Sequence, residues 1–304
     1  MSCSSPILVK NNNGVVLAAC GRCMSCCIAK QSSLQFLAQK ELQKVYKSGL
    51  GASFVTLTYS DNYVPYVRAA SPYQTLQKDD FQKFMKRLRK ESDKLNIKCK
   101  FVACGEYGDK LGRPHYHIAL LGLSDYLANS IISKTWKYGL SDVGALGAGG
   151  LRYVIKYMTK SRSTREIERF YADNGIQRPF ILHSQKLGFA WIKANANIIV
   201  SNRYTFLDKG KYRLYPKYVR DVVERLTGVD SRPYVADYIQ HINTHGERID
   251  DYFARMTYVK EIDLVKRTLQ QHSAAMLPAS LRRPVELRDN TNVDYRLLAS
   301  LALE

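Results

Sequence analysis

Read as a strand, the run Arg113-Pro114-His115-Tyr116-His117 can present its side chains in only one way. Successive residues face opposite sides, so His115 and His117 share one face while Tyr116 and Ile118 take the other. Upstream, Phe101-Val102-Ala103-Cys104 has the composition of a second short strand, and Gly108, Gly112 and Pro114 mark a turn between the two. A hairpin of this kind returns Glu106 to the neighbourhood of His117. Two imidazoles and one carboxylate on adjacent strands make a divalent-metal site with coordination left for substrate oxygens. That suits Mn²⁺ or Mg²⁺ on a phosphate better than a closed structural zinc. Histidines that only decorate a strand surface would show the same spacing, so the pair needs independent support.

Support comes from Leu151-Arg152-Tyr153-Val154-Ile155-Lys156-Tyr157-Met158-Thr159-Lys160. On a helix Tyr153 and Tyr157 are i, i+4 neighbours, so both hydroxyls emerge on one face with Lys156 and Lys160 close by. A tyrosine can attack a phosphodiester when a metal withdraws charge from phosphorus and cations favour the phenolate. Aromatic residues packing a helix on a sheet would give the same pair. Three segments in order now stand out: Phe54-Val55-Thr56-Leu57-Thr58-Tyr59, His115-Tyr116-His117 and Tyr153-Val154-Ile155-Lys156-Tyr157. Together they resemble the HUH endonuclease superfamily, whose pattern is Phe-x-Thr-Leu-Thr-Tyr, His-hydrophobic-His and Tyr-x-x-Lys-Tyr. Within it the chain is similar to the replication initiation proteins of gokushovirus-type single-stranded DNA phages (Microviridae), over roughly residues 1 to 220.

The resemblance implies a ferredoxin-like or RNA-recognition-motif-like core whose central strands present the His pair. It further implies rolling-circle initiation by a site- and strand-specific nick, with a 5′-phosphotyrosine intermediate and a free 3′-OH. Glu106, His115 and His117 would hold the metal, Tyr153 and Tyr157 would be the nucleophiles, and Lys156 would steady charge on the phosphate. The partners implied are single-stranded viral DNA with its replication origin, and the host helicase and DNA polymerase. A rival reading from another class is a non-catalytic, zinc-dependent nucleic-acid-binding protein that packages or regulates. No segment ends in Gly-Lys-Ser/Thr, including the glycine-rich 144–150, so no P-loop and no helicase activity are expected.

Charge bears on the partner. The chain of 304 residues carries 46 Lys and Arg against 27 Asp and Glu, a net charge of +19. That is an electrostatic footprint for a polyanion, with nucleic acid the leading one. There is no apolar run of about 18 residues and no signal peptide, so neither membrane association nor export is expected, and the cytoplasm of a bacterial host is the expected compartment.

In such a reducing compartment seven cysteines need a role other than disulfides. Cys20-Gly21-Arg22-Cys23-Met24-Ser25-Cys26-Cys27 has the spacing and small residues that tetrahedral zinc favours, and Cys3 can fold back as a fourth thiolate. Unpaired buried or redox-active thiols are the alternative. The gokushovirus-type initiators also begin with an isolated Cys followed by Pro-Cys-Gly-x-Cys-x-x-Cys. Here Ala19 replaces the proline and Cys27 stands where a basic residue is usual, which leaves Cys26 and Cys27 both open as the last ligand.

The remaining chain supplies an α+β frame: an antiparallel sheet with helices on one face. A helix is expected from Cys27 to Ser48, a strand from Ser53 to Tyr59, a helix entered at Asp79 or Asp80, and another over Asp125 to Tyr138. Phe81, Phe84, Met85, Leu88 and Leu95 form the apolar stripe of the second helix. Lys83, Lys86, Arg87, Arg89 and Lys90 cover the rest, as a solvated face or a DNA contact. The expected divisions are a cysteine-rich segment and helix over 1–48, the endonuclease domain over 49–220 and a helical extension over 221–304.

Overall fold

In the computed structural model, residues 3, 5–11, 14–21, 23–68, 73–108, 112–160, 165–208 and 210–245 are described, with the main chain alone for 11, 16, 148, 157–160, 165–168, 211 and 242–245. The expected helical extension beyond 245 lies outside them. The elements are β1 (Ile7–Asn11), β2 (Gly14–Ala18), α1 (Met24–Lys47), β3 (Ala52–Tyr59), α2 (Lys78–Asp93), β4 (Lys100–Tyr107), β5 (Pro114–Leu121), α3 (Asp125–Thr135) and β6 (Gly139–Ala145). Then follow α4 (Ala148–Lys160), α5 (Arg165–Asp173), β7 (Phe180–His183), α6 (Phe189–Ser201), β8 (Thr205–Asp208), β9 (Lys211–Leu214), α7 (Lys217–Thr227) and α8 (Arg232–His245).

Alternation along β3 buries Val55, Leu57 and Tyr59 and turns Phe54, Thr56 and Thr58 to the other face. In β5, Tyr116, Ile118 and Leu120 join the same buried face. Helix α2 closes that face with Phe81, Phe84, Met85 and Leu88, spaced at i, i+3, i+4 and i+7, and α3 adds Ala128, Ile131 and Ile132. The five strands pair antiparallel in the order β6-β3-β5-β4-β7. Taken as β3-α2-β4-β5-α3-β6, the core follows the β-α-β-β-α-β ferredoxin-like arrangement. The expected mixed α+β class with an antiparallel sheet and an N-terminal cysteine cluster is borne out.

Tyrosines bind this core together. Tyr59 Oη lies 2.9 Å from Tyr116 Oη and donates to Asp80 Oδ2 at 3.0 Å, while Tyr116 Oη donates to Gln77 O at 2.9 Å. Edge β6 approaches so closely that a Cβ on Gly139 would sit 2.3 Å from Thr58 O, which only glycine avoids. Helix α4 lies over the opposite face of the sheet, against β4, β5 and β7.

The chain divides into two compact units, the first holding residues up to 45 with 50–187, the second 46–49 with the described residues from 188 on. The second unit contains α6, the β8–β9 hairpin, α7 and α8, with Ile192, Ile199, Tyr204, Val219, Val222 and Val223 buried. No helix among the described residues is long and apolar enough to cross a membrane.

Candidate metal centre and nucleophile helix

Register puts the three expected metal-ligating residues together. In the antiparallel β4–β5 pair Glu106 faces His115 and Cys104 faces His117, and directly opposed residues share a face. Glu106 Oε1 lies 2.9 Å from Nε2 of His115 and 2.9 Å from Nε2 of His117. The two rings are 4.9 Å apart and nearly perpendicular at 83°. Glu106 and His117 are buried and His115 is partly exposed.

The far nitrogen of each ring is also held. His115 Nδ1 is 3.0 Å from Arg113 O, and a carbonyl only accepts, so this nitrogen carries the proton. His117 Nδ1 is 3.0 Å from Thr56 Oγ1, which reaches it from the neighbouring strand β3. Both histidines therefore turn Nε2 toward a carboxylate that itself only accepts. Such a convergence of acceptors is satisfied by a cation at its centre, either protons or a metal ion, and the donor set of two imidazoles and one carboxylate fits a divalent ion. Burial by itself would raise the Glu106 carboxyl, but hydrogen bonds from His115 and His117 outweigh it and hold the group below its ordinary value.

Helix α4 brings Tyr153 to this centre. Leu151, Val154 and Ile155 are buried toward the sheet. A Cβ on Gly150 would meet Leu146 Cδ1 at 2.9 Å and the Phe54 ring at 3.3 Å, so the glycine-rich entry does allow close approach. The Tyr153 ring meets His117 edge-on at 5.2 Å and 88°, and Phe54 at 5.8 Å. Lys156 Nζ sits 4.3 Å over the Tyr153 ring, a cation–π contact that keeps a positive charge beside the phenol. The side chain of Tyr157 lies outside the described residues.

Residues 52–162, from β3 to just past α4, match the family model of the replication-associated protein ORF2. The chain is 28% identical over 229 residues to the replication-associated protein ORF2 of Spiroplasma virus 4, a match covering 68% of this chain and 67% of that protein. It is 25% identical over 231 residues to the replication-associated protein ORF4 of Chlamydia phage 1, covering 70% and 55% respectively. It is also 25% identical over 224 residues to the replication-associated protein VP4 of Bdellovibrio phage phiMH2K, covering 66% of each. The resemblance to gokushovirus-type replication initiators is borne out. The matches span between about half and two thirds of these relatives' own length. No solved structure matches the chain.

This initiator-like chain has a second ligand cluster at the start of α1. The Sγ atoms of Cys3, Cys20, Cys23 and Cys26 all lie within 4.8 Å of one another, with Cys3 and Cys23 at 3.7 Å. Cys27 is outside the group. Backbone N–H groups support the sulfurs: Cys20 N donates to Cys3 Sγ and Cys23 N to Cys20 Sγ, each at 3.3 Å. Crowding keeps the thiols protonated unless a cation enters; the hydrogen bond with Cys23, foremost, pushes the Cys26 thiol up to about 12. Four converging thiols fit a tetrahedral metal.

Sequence reasoning missed Thr56 as the residue that holds His117, although Thr56 stands in a quoted segment. The expected basic face of α2 lies on the sheet side opposite the metal centre. Arg87 Nε donates to Thr135 O at 2.9 Å and Arg89 lies 5.4 Å over the Phe101 ring, so part of that run is spent on packing.

Proposed function

We propose that this replication-associated chain is a metal-dependent nicking and joining enzyme for single-stranded viral DNA. The observation that supports it most is the Tyr153 ring against His117, at a point where two Nε2 atoms and Glu106 Oε1 converge. Glu106, His115 and His117 would hold Mn²⁺ or Mg²⁺, which would polarise the scissile phosphate. The Tyr153 phenolate attacks phosphorus, the bond to the 3′ oxygen breaks, and that oxygen leaves as a 3′-OH after taking up a proton. The 5′ end stays linked to the tyrosine. Lys156 lowers the cost of both the phenolate and the charge building on the phosphate. Tyr157, one helical turn on, supplies a second hydroxyl for the rejoining cut. The host polymerase extends the 3′-OH and a host helicase opens the duplex, since the chain has no P-loop of its own. The four cysteines Cys3, Cys20, Cys23 and Cys26 would hold a structural Zn²⁺, whose binding would also fold the N-terminal knuckle.

The test is to incubate the protein with labelled circular single-stranded phage DNA and Mn²⁺, then look for protein-bound DNA on a denaturing gel. An adduct that is lost in the His115→Ala/His117→Ala variant is the expected result. Undiminished cleavage by that variant in chelator rejects the metal assignment. DNA binding with no adduct under any metal leaves the non-catalytic, zinc-dependent reading standing.

A further inference from the structure

A cavity of about 500 Å³ lies off the end of β4, between residues 75–77 and 171–178 of the first unit. Its volume is in the range of small-molecule sites, and none of the proposed chemistry uses it. Its walls are tied to the strand residue that follows Glu106. Tyr107 Oη donates to Gln177 O at 2.6 Å and accepts from Leu76 N at 3.0 Å. Tyr171 lines the cavity, with its ring stacked on Tyr107 at 6.1 Å and 25°, which gives one rigid aromatic wall.

The hydrogen-bonding character of the lining is one-sided. Thr75 N is taken by Pro65 O, Leu76 N by Tyr107 Oη and Gln77 N by Tyr116 Oη. On the facing segment Gly175 N goes to Ala172 O, Ile176 N to Tyr171 O and Gln177 N to Thr75 Oγ1. With these N–H groups committed, the main chain there can offer a ligand carbonyl oxygens alone, each with a lone pair to spare. A ligand that matches must bring donors and a flat face. Adenine, cytosine and guanine carry an exocyclic amino group, and thymine does not. Unpaired bases stack on tyrosine faces.

We infer that this cavity holds one unpaired, amino-bearing nucleobase of the DNA strand being cut. The inference rests on the nicking function proposed above and deepens it into a basis for choosing the cut site. Glu106 and Tyr107 point to opposite faces of β4, so a strand bound at both passes around the end of the sheet. The captured base therefore lies a few nucleotides from the scissile phosphate. Arg178, exposed at the cavity, sits where a phosphate of that strand would pass.

The test measures binding in chelator, without cleavage, of a labelled oligonucleotide spanning the mapped nick. Each position is replaced in turn by an abasic site or by thymine. One position near the nick should lose roughly tenfold in affinity on either replacement with the wild-type protein. Ala172→Trp, on the exposed side of α5, fills the cavity; it should bind the intact strand more weakly and show no loss at that position. Tyr171→Ala should give the same pattern. The inference is overturned if every position tolerates an abasic site, or if the sensitive position stays sensitive in Ala172→Trp. Thymine tolerated where an abasic site is not overturns the amino-group requirement. Binding that persists without any position preference rejects the pocket alone, whereas no binding of single-stranded DNA at all rejects the nicking function with it.

Discussion

Thr56 shows how much one hydroxyl can decide at this centre. Its Oγ1 holds His117 Nδ1 at 3.0 Å, which fixes both the ring orientation and which nitrogen faces Glu106. Partners of this kind are worth about 10–100-fold in metal affinity. Thr56→Val keeps the β-branch and removes the bond, so the Mn²⁺ needed for half-maximal nicking should rise by about that factor, with DNA binding in chelator unchanged and Thr56→Ser close to wild type. An unchanged Mn²⁺ dependence in Thr56→Val would leave the hydroxyl without a positioning role. Glu106 and the two histidines were legible because a hairpin is local and its register follows from the turn. Thr56 was not, because its contact with His117 spans 61 residues and depends on a pairing between β3 and β5 that no local pattern announces. The buried pair Tyr59 and Tyr116 sets an alkaline limit on the same fold. Burial, first, raises both phenols, Tyr116 from 10.0 to about 12. The neutral form is favoured in the folded state, so this stability is complete below the unfolded value near 10 and is lost as pH climbs toward 12, by roughly 2–3 kcal/mol for Tyr116. Phenolate absorbance followed beside circular dichroism should show these two tyrosines ionising only as the fold melts. Their ionisation in a fully folded protein would contradict the hydrogen-bonded arrangement.

At the level of the elements, the strongly periodic ones were readable and the edges were not. Helix α2 was expected from its apolar stripe and begins at Lys78, one residue before the expected entry. Strand β6 was read as a glycine-rich connection. Its residues are half-buried or exposed throughout, as at a sheet edge, so it carries little apolar alternation. Helix α3 was expected to reach Tyr138 and stops at Thr135. Trp136 leaves the helix to stack among Tyr59, Phe84 and Tyr116, with its indole N–H donated to Thr58 O at 3.3 Å, a tertiary gain that overrides helix propensity. The hairpin β1–β2 was passed over, its two strands being short and largely exposed. Helix α4 was legible in full, and it carries the prediction about two nucleophiles. An i, i+4 step advances about 6 Å along the axis on nearly one face, so either hydroxyl can approach one phosphate after a small shift. Tyr153→Phe and Tyr157→Phe should each keep some first-round nicking yet fail to release closed circles, and the double variant should form no adduct. A single variant that yields circles at the wild-type level would reduce the other tyrosine to a packing role.

The ferredoxin-like strand order of the whole molecule was implied by the resemblance and could not have come from periodicity, since order is a matter of which distant strands pair. Net charge was legible as a quantity, +19, but its distribution was not. In the fold, α2 covers the sheet face opposite Glu106, His115 and His117, and Arg87 and Arg89 are engaged in packing. Lys83, Lys86 and Lys90 remain exposed on that far side. This arrangement favours a solvated face over a DNA contact for the basic run. Each phosphate neutralised on single-stranded DNA contributes about −0.7 to the slope of log K against log salt, so six contacts would give about −4. The wild-type protein should show a slope of that order, and His115→Ala/His117→Ala should share it, because binding draws on dispersed cations while cutting needs the metal centre. Converting Lys83, Lys86 and Lys90 together to Gln should leave the slope unchanged. If the triple variant instead flattens the slope by about 2, the strand runs along α2 and the DNA path must cover both faces of the sheet.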